Sequence, residues 1–461
     1  MSAPSMSNGT VPVDRPHSLI AEIALLLKFA APVALSQLLI MGMHVSDTVI
    51  LGRLGADALA AAALTGSIYI FVLIFGLGIM MAIAPIASQA HGAGDHGEAA
   101  KFFRQAILLA VVVGVALALV LGPAETYLGW LGQDPRLAQD TSTYLGSLRW
   151  ALPSTMVLIV GRNFLGSIGQ PSLGLVFVSF DLVMNIILAL GLVLGLFGLP
   201  ALGLFGAGLA TAVTTLIGSS LMLTVIATLP GLKGYWRDGG SWLPDLVRQK
   251  KLLALGLPIG ITLVMEVGLF AVSTVMMGWL GALPLAAHQV ALQIVSITFM
   301  VPFGVGQAST ILIGQALGAG DKVGARRAGM ISLGFAIVFM TVMAAVILIL
   351  REPLLGLFLS ADDPRSPTVL AIGVSFLAFG ALFQIVDGLQ VVGSCALRGL
   401  QDARMPMIFA MVGFWGVGLT SAYLLAFVAG MGGEGIWLGQ AIGLAVVSLL
   451  MVTRFHRLTR I

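Results

Sequence analysis

Four acidic residues lie inside long apolar stretches of this 461-residue sequence, namely Asp47, Asp181, Glu266 and Asp387. A carboxylate at bilayer depth is costly, so it normally faces the interior or a water-filled cavity and marks a pathway. Because desolvation disfavours the charged form, such a group can load and release a proton near neutral pH, and when ionised it can hold Na⁺ or an organic cation. The alternative for each is a protonated acid that hydrogen-bonds a neighbouring helix. No Lys or Arg lies clearly in mid-span, because Arg149 and Arg162 sit toward opposite ends of the fourth apolar stretch and can reach the interface. The sequence therefore predicts no structural ion pairs for these acids.

The acids of the first half have polar neighbours at helical spacing. Asp181 and Asn185 are four residues apart and therefore share one helix face. Together with Asp47 they would surround a small hard cation such as Na⁺ with oxygen atoms, and Thr211 would add a hydroxyl group. His44, three residues before Asp47, would tune that acid or relay a proton, although a lone membrane histidine is more often a hydrogen-bonding residue.

Neutral amide side chains in the apolar stretches form a second group of candidates, which would line a cavity. As single residues, glutamines in a membrane bundle more often bond one helix to another. The glutamines concerned are Gln37, Gln289, Gln293, Gln307 and Gln384.

Motifs for enzyme chemistry are absent from the sequence. There is no GxxxxGK[ST] segment, so ATP is not expected to drive the protein directly. The single cysteine, Cys395, excludes an intramolecular disulfide and any Cys-based zinc site, and it forms no nucleophile–base pair with the scattered histidines. We therefore expect no catalytic residues, no enzyme activity and no cofactor apart from a coupling ion.

The composition excludes a single water-soluble domain. Hydrophobic residues make up 58% of the chain and charged residues 9%, with a mean hydropathy of +1.05. Intrinsic disorder is excluded by the same values, because disorder requires low hydrophobicity and high net charge. The net charge of +3 is too small to indicate a nucleic-acid partner. The high hydrophobic content instead indicates that the protein contacts the lipid bilayer.

Hydropathy predicts an all-α membrane protein, because a membrane-spanning helix needs about 20 mostly apolar residues. The expected organisation is a tail at 1–20, a first lobe at 21–229, a loop at 230–252, a second lobe at 253–453 and a tail at 454–461. Twelve apolar stretches carry this prediction, at about 24–50, 59–90, 104–123, 144–168, 172–197, 202–229, 253–279, 286–316, 329–350, 368–397, 406–429 and 435–453.

The distribution of Lys and Arg predicts the orientation. The side that carries both chain ends holds 18 of these residues, and the other side holds 5. Positively charged loops stay in the cytoplasm, so both termini are predicted to be cytoplasmic in a multi-pass protein of the cell inner membrane.

The two halves of the sequence repeat one another at a shift of 226 residues. Pro32 falls on Pro258, and the segment Gln-Ala-x-Gly-Ala-Gly-Asp at 89–95 falls on the same segment at 315–321. Over residues 32–95, 20 of 64 positions are identical without a gap.

Each repeat holds six predicted spans, so both halves enter the membrane from the same side. Such parallel repeats are related by an axis along the membrane normal and place a substrate site between two lobes, which rock to give alternating access. Duplicated helices could also form a rigid scaffold or a channel.

These residues resemble the multidrug and toxic compound extrusion (MATE) family over about residues 20–455. The resemblance lies in Asp47-Thr-x-x-x-Gly-x-Leu-Gly with its upstream Pro32 and Gln37, in the twin segments at 89–95 and 315–321, and in Leu-Arg-Gly-Leu-Gln-Asp at 397–402. The pair Glu266 and Asp387 resembles the NorM branch.

The resemblance implies twelve helices in two six-helix lobes and export of amphipathic, often cationic, drugs driven by inward Na⁺ or H⁺. It implies an N-lobe cation site at Asp47, Asp181 and Asn185, and C-lobe sites for ion or drug at Glu266 and Asp387. This branch usually has Asn where Asp181 stands, and the added charge leaves Na⁺ and a proton shared between acids both open. We expect a monomer.

A second interpretation is a lipid-linked oligosaccharide flippase of the same wider superfamily. Its pyrophosphate-bearing substrate would need a cationic cavity, whereas this sequence places acids in its spans. The sign of the cavity charge therefore discriminates between the two functions. A channel or receptor without transport is a third interpretation, against which the repeat argues.

Overall fold

The computed structural model describes residues 18–130, 132–359 and 363–460, and the regular elements of that part are all helices. Most of the predicted N-terminal tail lies outside the described residues. The helices are α1 (Leu19–Gly52), α2 (Ala56–Met80), α3 (Ile83–Gly92), α4 (His96–Val120), α5 (Ala124–Trp130), α6 (Pro135–Leu148), α7 (Ala151–Ser167), α8 (Pro171–Leu194), α9 (Gly203–Thr228), α10 (Lys233–Arg237), α11 (Leu246–Trp279), α12 (Ala282–Gly318), α13 (Lys322–Gly356), α14 (Ser366–Gly399), α15 (Arg404–Val428) and α16 (Gly432–Leu458). Leu196–Gly198 forms a single 3₁₀ turn.

Eleven helical stretches of the described chain are long and apolar enough to cross a bilayer. The fourth predicted span is instead built from α6 and α7, which are separated by a turn at Arg149 and Trp150 and both pack along α9. The second predicted span is also interrupted, because α2 and α3 are separated at Met81 and Ala82.

Several helices extend beyond the apolar runs that predict them. The predicted loop at 230–252 is shorter in the structure, since α11 already begins at Leu246, where the Asp245 carboxylate accepts hydrogen bonds from the first free backbone N–H groups. Likewise α13 begins at Lys322 instead of about 329. Hydropathy reports the buried part of a helix, whereas the helix itself continues into the polar interface.

The helices form two lobes. Helices α1–α9 pack against one another as the N-lobe, and α11–α16 pack around α14 as the C-lobe. The lobes meet where α12 packs on α1 and α3 and where α11 packs on α2. This arrangement confirms the predicted two-lobe repeat.

Two close crossings show the repeat at the level of single residues. Gly78 of α2 meets the backbone of Gly260 on α11, and Gly304 of α12 meets Ala34 on α1. A shift of 226 carries Gly78 onto Gly304 and Ala34 onto Gly260. The same inter-lobe contact is therefore made twice, as expected for parallel repeats.

The twin Gly-Ala-Gly-Asp segments connect successive helices. Gly94 and Gly320 adopt the left-handed conformation that glycine tolerates best, with φ of 73° and 78°. Asp95 and Asp321 then cap the next helices, since their Oδ1 atoms accept from backbone N–H groups at 2.8 and 2.7 Å. The last two residues of each segment, Gly and Asp, are thus explained by the turn and the helix cap that they form.

We call the face of the bundle where α1 begins and α16 ends the terminal face, and the opposite one the distal face. The loop between the lobes lies on the terminal face and is tied to the N-lobe. Arg104 of α4 donates to the carbonyls of Trp236 and Gly240, and Gln105 donates to Leu243 at 3.0 Å.

Candidate functional site

A cavity of about 400 Å³ lies between the two lobes. It is lined from the N-lobe by α1, α2, α7, α8 and α9, and from the C-lobe by α11, α12 and α14. Its volume falls within the usual range of about 300–1,000 Å³ for sites that enclose drug-sized molecules. The location agrees with the inter-lobe site expected for a parallel repeat.

Most of the cavity wall is apolar. Aromatic and methionine side chains contribute from both lobes, including Met43, Tyr69, Phe299, Met300 and Phe303. Thioether side chains are flexible and adapt to irregular shapes, so this wall can accommodate apolar groups of different outline.

The N-lobe wall carries a carboxylate among neutral oxygen atoms. Asp181 of α8 is 9% exposed, and its Oδ1 has no hydrogen-bond partner. One turn further on, Asn185 is fully buried, donates from Nδ2 to Thr211 Oγ1 at 3.3 Å, and leaves its own Oδ1 without a partner. Gly218 of α9 makes room for Asp181, because a Cβ there would collide with the carboxylate. Two buried oxygens without partners are the kind of donors that a small hard cation takes.

Asp47 is separate from this group in the structure. It is half-buried on α1 beside Tyr144 of α6 and does not form part of the cavity wall. In the described chain it makes no hydrogen bond or ion pair with Asp181 or Asn185, and no three His, Cys, Asp or Glu side chains converge anywhere. A cation at Asp181 and Asn185 would therefore be held by a single carboxylate and neutral oxygens unless Asp47 moves inward. His44 does line the cavity.

One arginine lies closer to the acids than expected from the sequence. Arg162 of α7 lines the cavity and lies within electrostatic range of Asp181. Its position close to the end of α7 suggested that it would reach the interface, but the cavity extends to its level. Although the two charges interact, Arg162 forms no contact ion pair within the described residues, since none is found within 4.0 Å.

The C-lobe brings two carboxylates together. Glu266 of α11 lines the cavity beside Gln390, and Asp387 of α14 lies behind the wall within electrostatic range of Glu266. Asp387 is 3% exposed and its Oδ1 has no hydrogen-bond partner. Arg398, near the end of α14, lines the cavity and interacts electrostatically with Glu266. In each lobe, therefore, one arginine interacts electrostatically with the acid on the cavity wall.

The predicted cavity glutamines divide into two groups. Gln37 lines the cavity, whereas Gln289, Gln293 and Gln384 do not belong to its wall. Gln384 is fully buried within the C-lobe, where its Oε1 accepts from Thr298 at 2.6 Å. That bond joins α12 to α14, as expected for a glutamine that bonds one helix to another.

A second cavity of about 80 Å³ adjoins the first on the side of the terminal face. Gln37 and Arg162 line both cavities, and Asn163, Gly166 and Gln307 line only the smaller one. The two spaces together follow the boundary between the lobes toward the ends of α7 and α14.

Sequence reasoning missed the stripe on α7 that faces the cavity. Thr155, Leu158, Ile159 and Arg162 all line the cavity and follow the helical pattern i, i+3, i+4, i+7. That spacing is visible in the sequence, but it identifies a shared helix face without showing what the face meets.

Comparison with known proteins places this arrangement among transporters. The MatE family profile matches residues 32–191 and 258–424. A probable multidrug resistance protein NorM from Mesorhizobium japonicum is 38% identical over 442 residues, covering 95% of each chain. The multidrug resistance protein NorM from Burkholderia vietnamiensis is 38% identical over 432 residues, covering 93% of this chain and 92% of the relative.

Solved structures share the fold at lower identity. A eukaryotic MATE transporter, AtDTX14, superposes with a TM-score of 0.83 at 21% identity, covering 96% of this chain and 98% of that one. A MOP superfamily transporter from Pyrococcus furiosus, described as having a binding pocket of reverse polarity, superposes with a TM-score of 0.85 at 17% identity, covering 95% and 96%.

Proposed function

Because the chain belongs to the MatE family and is a multidrug efflux transporter, we propose that it exchanges amphipathic organic cations for Na⁺ or H⁺. The substrate would occupy the inter-lobe cavity with its apolar part against the aromatic and methionine wall. Its charge would lie near Asp181 or Glu266, which face the cavity from opposite lobes.

The observation that carries this proposal is a buried carboxylate oxygen without a partner in each lobe. Asp181 Oδ1 and Asp387 Oδ1 are both buried and accept no hydrogen bond. A buried polar atom left without a partner is costly, and a proton, a sodium ion or a substrate cation would supply one. Neutralising these acids lowers the cost of enclosing them, so ion binding favours the rocking of the lobes toward the inward-facing state. The drug then displaces the ion from the cytoplasmic side.

The balance of charge at the cavity is mixed and not simply acidic. The wall itself holds two acids, Asp181 and Glu266, against two arginines, Arg162 and Arg398. The excess of negative charge comes from Asp47 and Asp387, which lie off the wall. We favour cationic substrates because the arginines lie near the ends of their helices, toward the terminal face, whereas the acids lie deeper. A lipid-linked oligosaccharide flippase is the second candidate, supported by the arginines alone.

The orientation belongs to the same proposal. The terminal face carries the larger share of Lys and Arg, so it would lie in the cytoplasm and the distal face outside the inner membrane. In this proposal a monomer carries out the whole cycle without ATP, because the cavity is formed by one chain and is bordered by the coupling acids.

Sealed vesicles containing purified protein test the proposal. Transport of a fluorescent organic cation is followed under an imposed Na⁺ gradient at fixed pH, and separately under a pH gradient without Na⁺. We expect one of the two gradients to drive transport, which would identify the coupling ion. Transport that ignores both gradients would contradict the antiporter, and transport of a pyrophosphate-linked lipid in place of the cation would favour the flippase.

A further inference from the structure

A hydrogen-bonded contact between the lobes lies where α3 meets the end of α14. Gln89 of α3 donates from Nε2 to the carbonyl oxygen of Gly399 at 3.1 Å. Its Oε1 accepts a second bond from Gln401 Nε2 at 2.6 Å. One N-lobe glutamine thus holds two groups of the C-lobe.

The same contact occurs a second time with the lobes exchanged. Gln315 near the end of α12 donates from Nε2 to the carbonyl oxygen of Ser167 at 2.8 Å. A shift of 226 carries Gln89 onto Gln315. Ser167 and Gly399 are the last residues of α7 and α14, the fourth spans of their lobes. Both copies of the Gln-Ala-x-Gly-Ala-Gly-Asp segment therefore bond to the same place in the opposite lobe.

The backbones around these glutamines are in direct contact. A Cβ at Gly92 would collide with the Gln315 carbonyl, and a Cβ at Gly318 would collide with the Gln89 carbonyl. Gly92 and Gly318 are again equivalent under the shift. Only glycine lets the backbones of α3 and α12 approach this closely. The contact therefore depends on two positions in each copy of the segment, the glutamine and the glycine three residues after it.

The doubled contact lies across the route from the cavity to the terminal face. Gly166 lines the small cavity that continues the main one, and Ser167 is the next residue. Beyond Gly399 the chain turns through Gln401, which is held with φ of 59°, a left-handed conformation that is uncommon for a residue other than glycine. The side chain of Gln401 is the one bonded to Gln89, so the turn and the contact are formed together.

We propose that Gln89 and Gln315, with Gly92 and Gly318, form a paired latch that closes the cavity at the terminal face and must open once in every transport cycle. The inference rests on the proposed transport function and adds to it the residues that seal one side. Because Gln89 and Gln315 each donate to a main-chain carbonyl, these two hydrogen bonds can break and reform without requiring a particular partner side chain.

The latch can be tested by replacing the glutamine amide with a carboxylate of similar size. Glu at either position cannot donate to the facing carbonyl, so Gln89→Glu and Gln315→Glu should each loosen the terminal face, and the double variant more so. The matched control is Gln139→Glu, which makes the same change at an exposed residue of α6.

Hydrogen exchange of purified full-length protein is the first readout. We expect the backbone amides near the ends of α7 and α14 to exchange about tenfold faster in the double variant than in the native protein. Each single variant should show a smaller increase. Gln401→Ala removes only one bond and should give about a threefold increase. Exchange equal to that of the native protein in the double variant would overturn the latch.

A second readout detects opening without relying on exchange. With Cys395 replaced by Ser, an Asn163→Cys substitution places a thiol in the small cavity, and a membrane-impermeant maleimide is applied from the terminal face. Labelling should rise about tenfold with the double glutamine variant and should not change with Gln139→Glu. If the native protein fails to transport while labelling still rises in the double variant, the proposed function fails, and only the closure of the terminal face by these glutamines is retained. If the native protein transports and labelling stays unchanged, the latch is wrong.

Discussion

The N-lobe presents one cavity-wall carboxylate among neutral oxygens, whereas the C-lobe presents two carboxylates within electrostatic range of each other. Asp181 is accompanied by Asn185 and Thr211, and Glu266 is accompanied by Asp387. The packing of the lobes follows the repeat closely, but these acids do not. A shift of 226 places Ser273 at the position of Asp47 and Ile40 at the position of Glu266.

The comparison separates the parts of the molecule that duplication preserved from those that diverged. Inter-lobe crossings such as Gly78 with Gly260 are present twice, as expected if, in the proposed cycle, the lobes rock against each other at these close approaches. Each acid is present in one lobe without a counterpart in the other, as expected if, in the proposed cycle, one lobe binds a cation among neutral oxygens and the other shares charge between two acids. If this distinction is correct, substitutions in the two lobes should have different consequences.

The largest effect is expected from the C-lobe acids. Glu266→Gln and Asp387→Asn each leave the remaining acid without its charged neighbour, so the pair can no longer exchange a cation for drug. We expect transport to fall about 100-fold or more in either variant, with folded protein still present in the membrane. Transport in sealed vesicles measures this.

The control for these variants is Asp57→Asn, an acid-to-amide change at an exposed position in the first turn of α2. It should transport like the native protein. Full activity in both Glu266→Gln and Asp387→Asn would remove the C-lobe pair from the account.

A smaller effect is expected in the N-lobe, where neutral oxygens remain after the acid is changed. Asp181→Asn keeps the hydrogen-bonding shape but removes the charge, and we expect about a tenfold loss of transport. Gly218→Ala should give a similar loss, since the added Cβ displaces the Asp181 carboxylate.

Gly66→Ala is the matched control for the N-lobe variant, because nothing lies within 4 Å of a Cβ added at that position in α2. A loss in Gly66→Ala as large as that in Gly218→Ala would show that the effect comes from helix flexibility and not from Asp181.

The arginines should alter substrate preference instead of abolishing transport. Arg162→Gln removes the positive charge that interacts with Asp181, so the field at the N-lobe wall becomes more negative. We expect an organic cation to bind about threefold more tightly, as measured by equilibrium titration with a fluorescent cation. Arg53→Gln, at an exposed residue between α1 and α2, should leave binding unchanged. Weaker cation binding in Arg162→Gln would favour a substrate that carries negative charge.

The smallest effect is expected at Thr211. Thr211→Val removes a hydroxyl group that accepts from Asn185 while keeping the side-chain shape, so Asn185 loses a neutral partner. A reduction of at most about threefold in ion affinity is expected, with Thr211→Ser retaining native behaviour. A loss as large as that of Asp181→Asn would make Thr211 a principal ligand.

Much of the fold can be predicted from hydropathy and from the internal repeat. The apolar stretches gave the helices, and the identity at a shift of 226 gave the two lobes, because both follow from local composition and copying. The break between α6 and α7 was not predicted, although Pro153 in the first turn of α7 marks it, because a proline cannot donate the backbone hydrogen bond to the Arg149 carbonyl that a continuous helix needs.

The candidate site was predictable only in part. Burial of Asp181 and Asp387 follows from their place in apolar spans, and spacing put Asn185 beside Asp181. The depth of the cavity does not follow from sequence, so Arg162 was assigned to the interface. Spacing likewise could not show that Asp47 lies apart from Asp181, because the direction of one helix face relative to another is set by tertiary packing.

Competition between drug and ion shows most directly whether ion binding at the buried acids displaces the drug. Binding of a fluorescent organic cation to purified protein is titrated against Na⁺ at fixed pH and against pH without Na⁺, in the native chain and in Asp181→Asn and Asp387→Asn. We expect that one ion displaces the drug from the native protein and that this displacement is lost in Asp387→Asn and weakened in Asp181→Asn. Drug binding that is unaffected by both Na⁺ and pH in the native protein would contradict it.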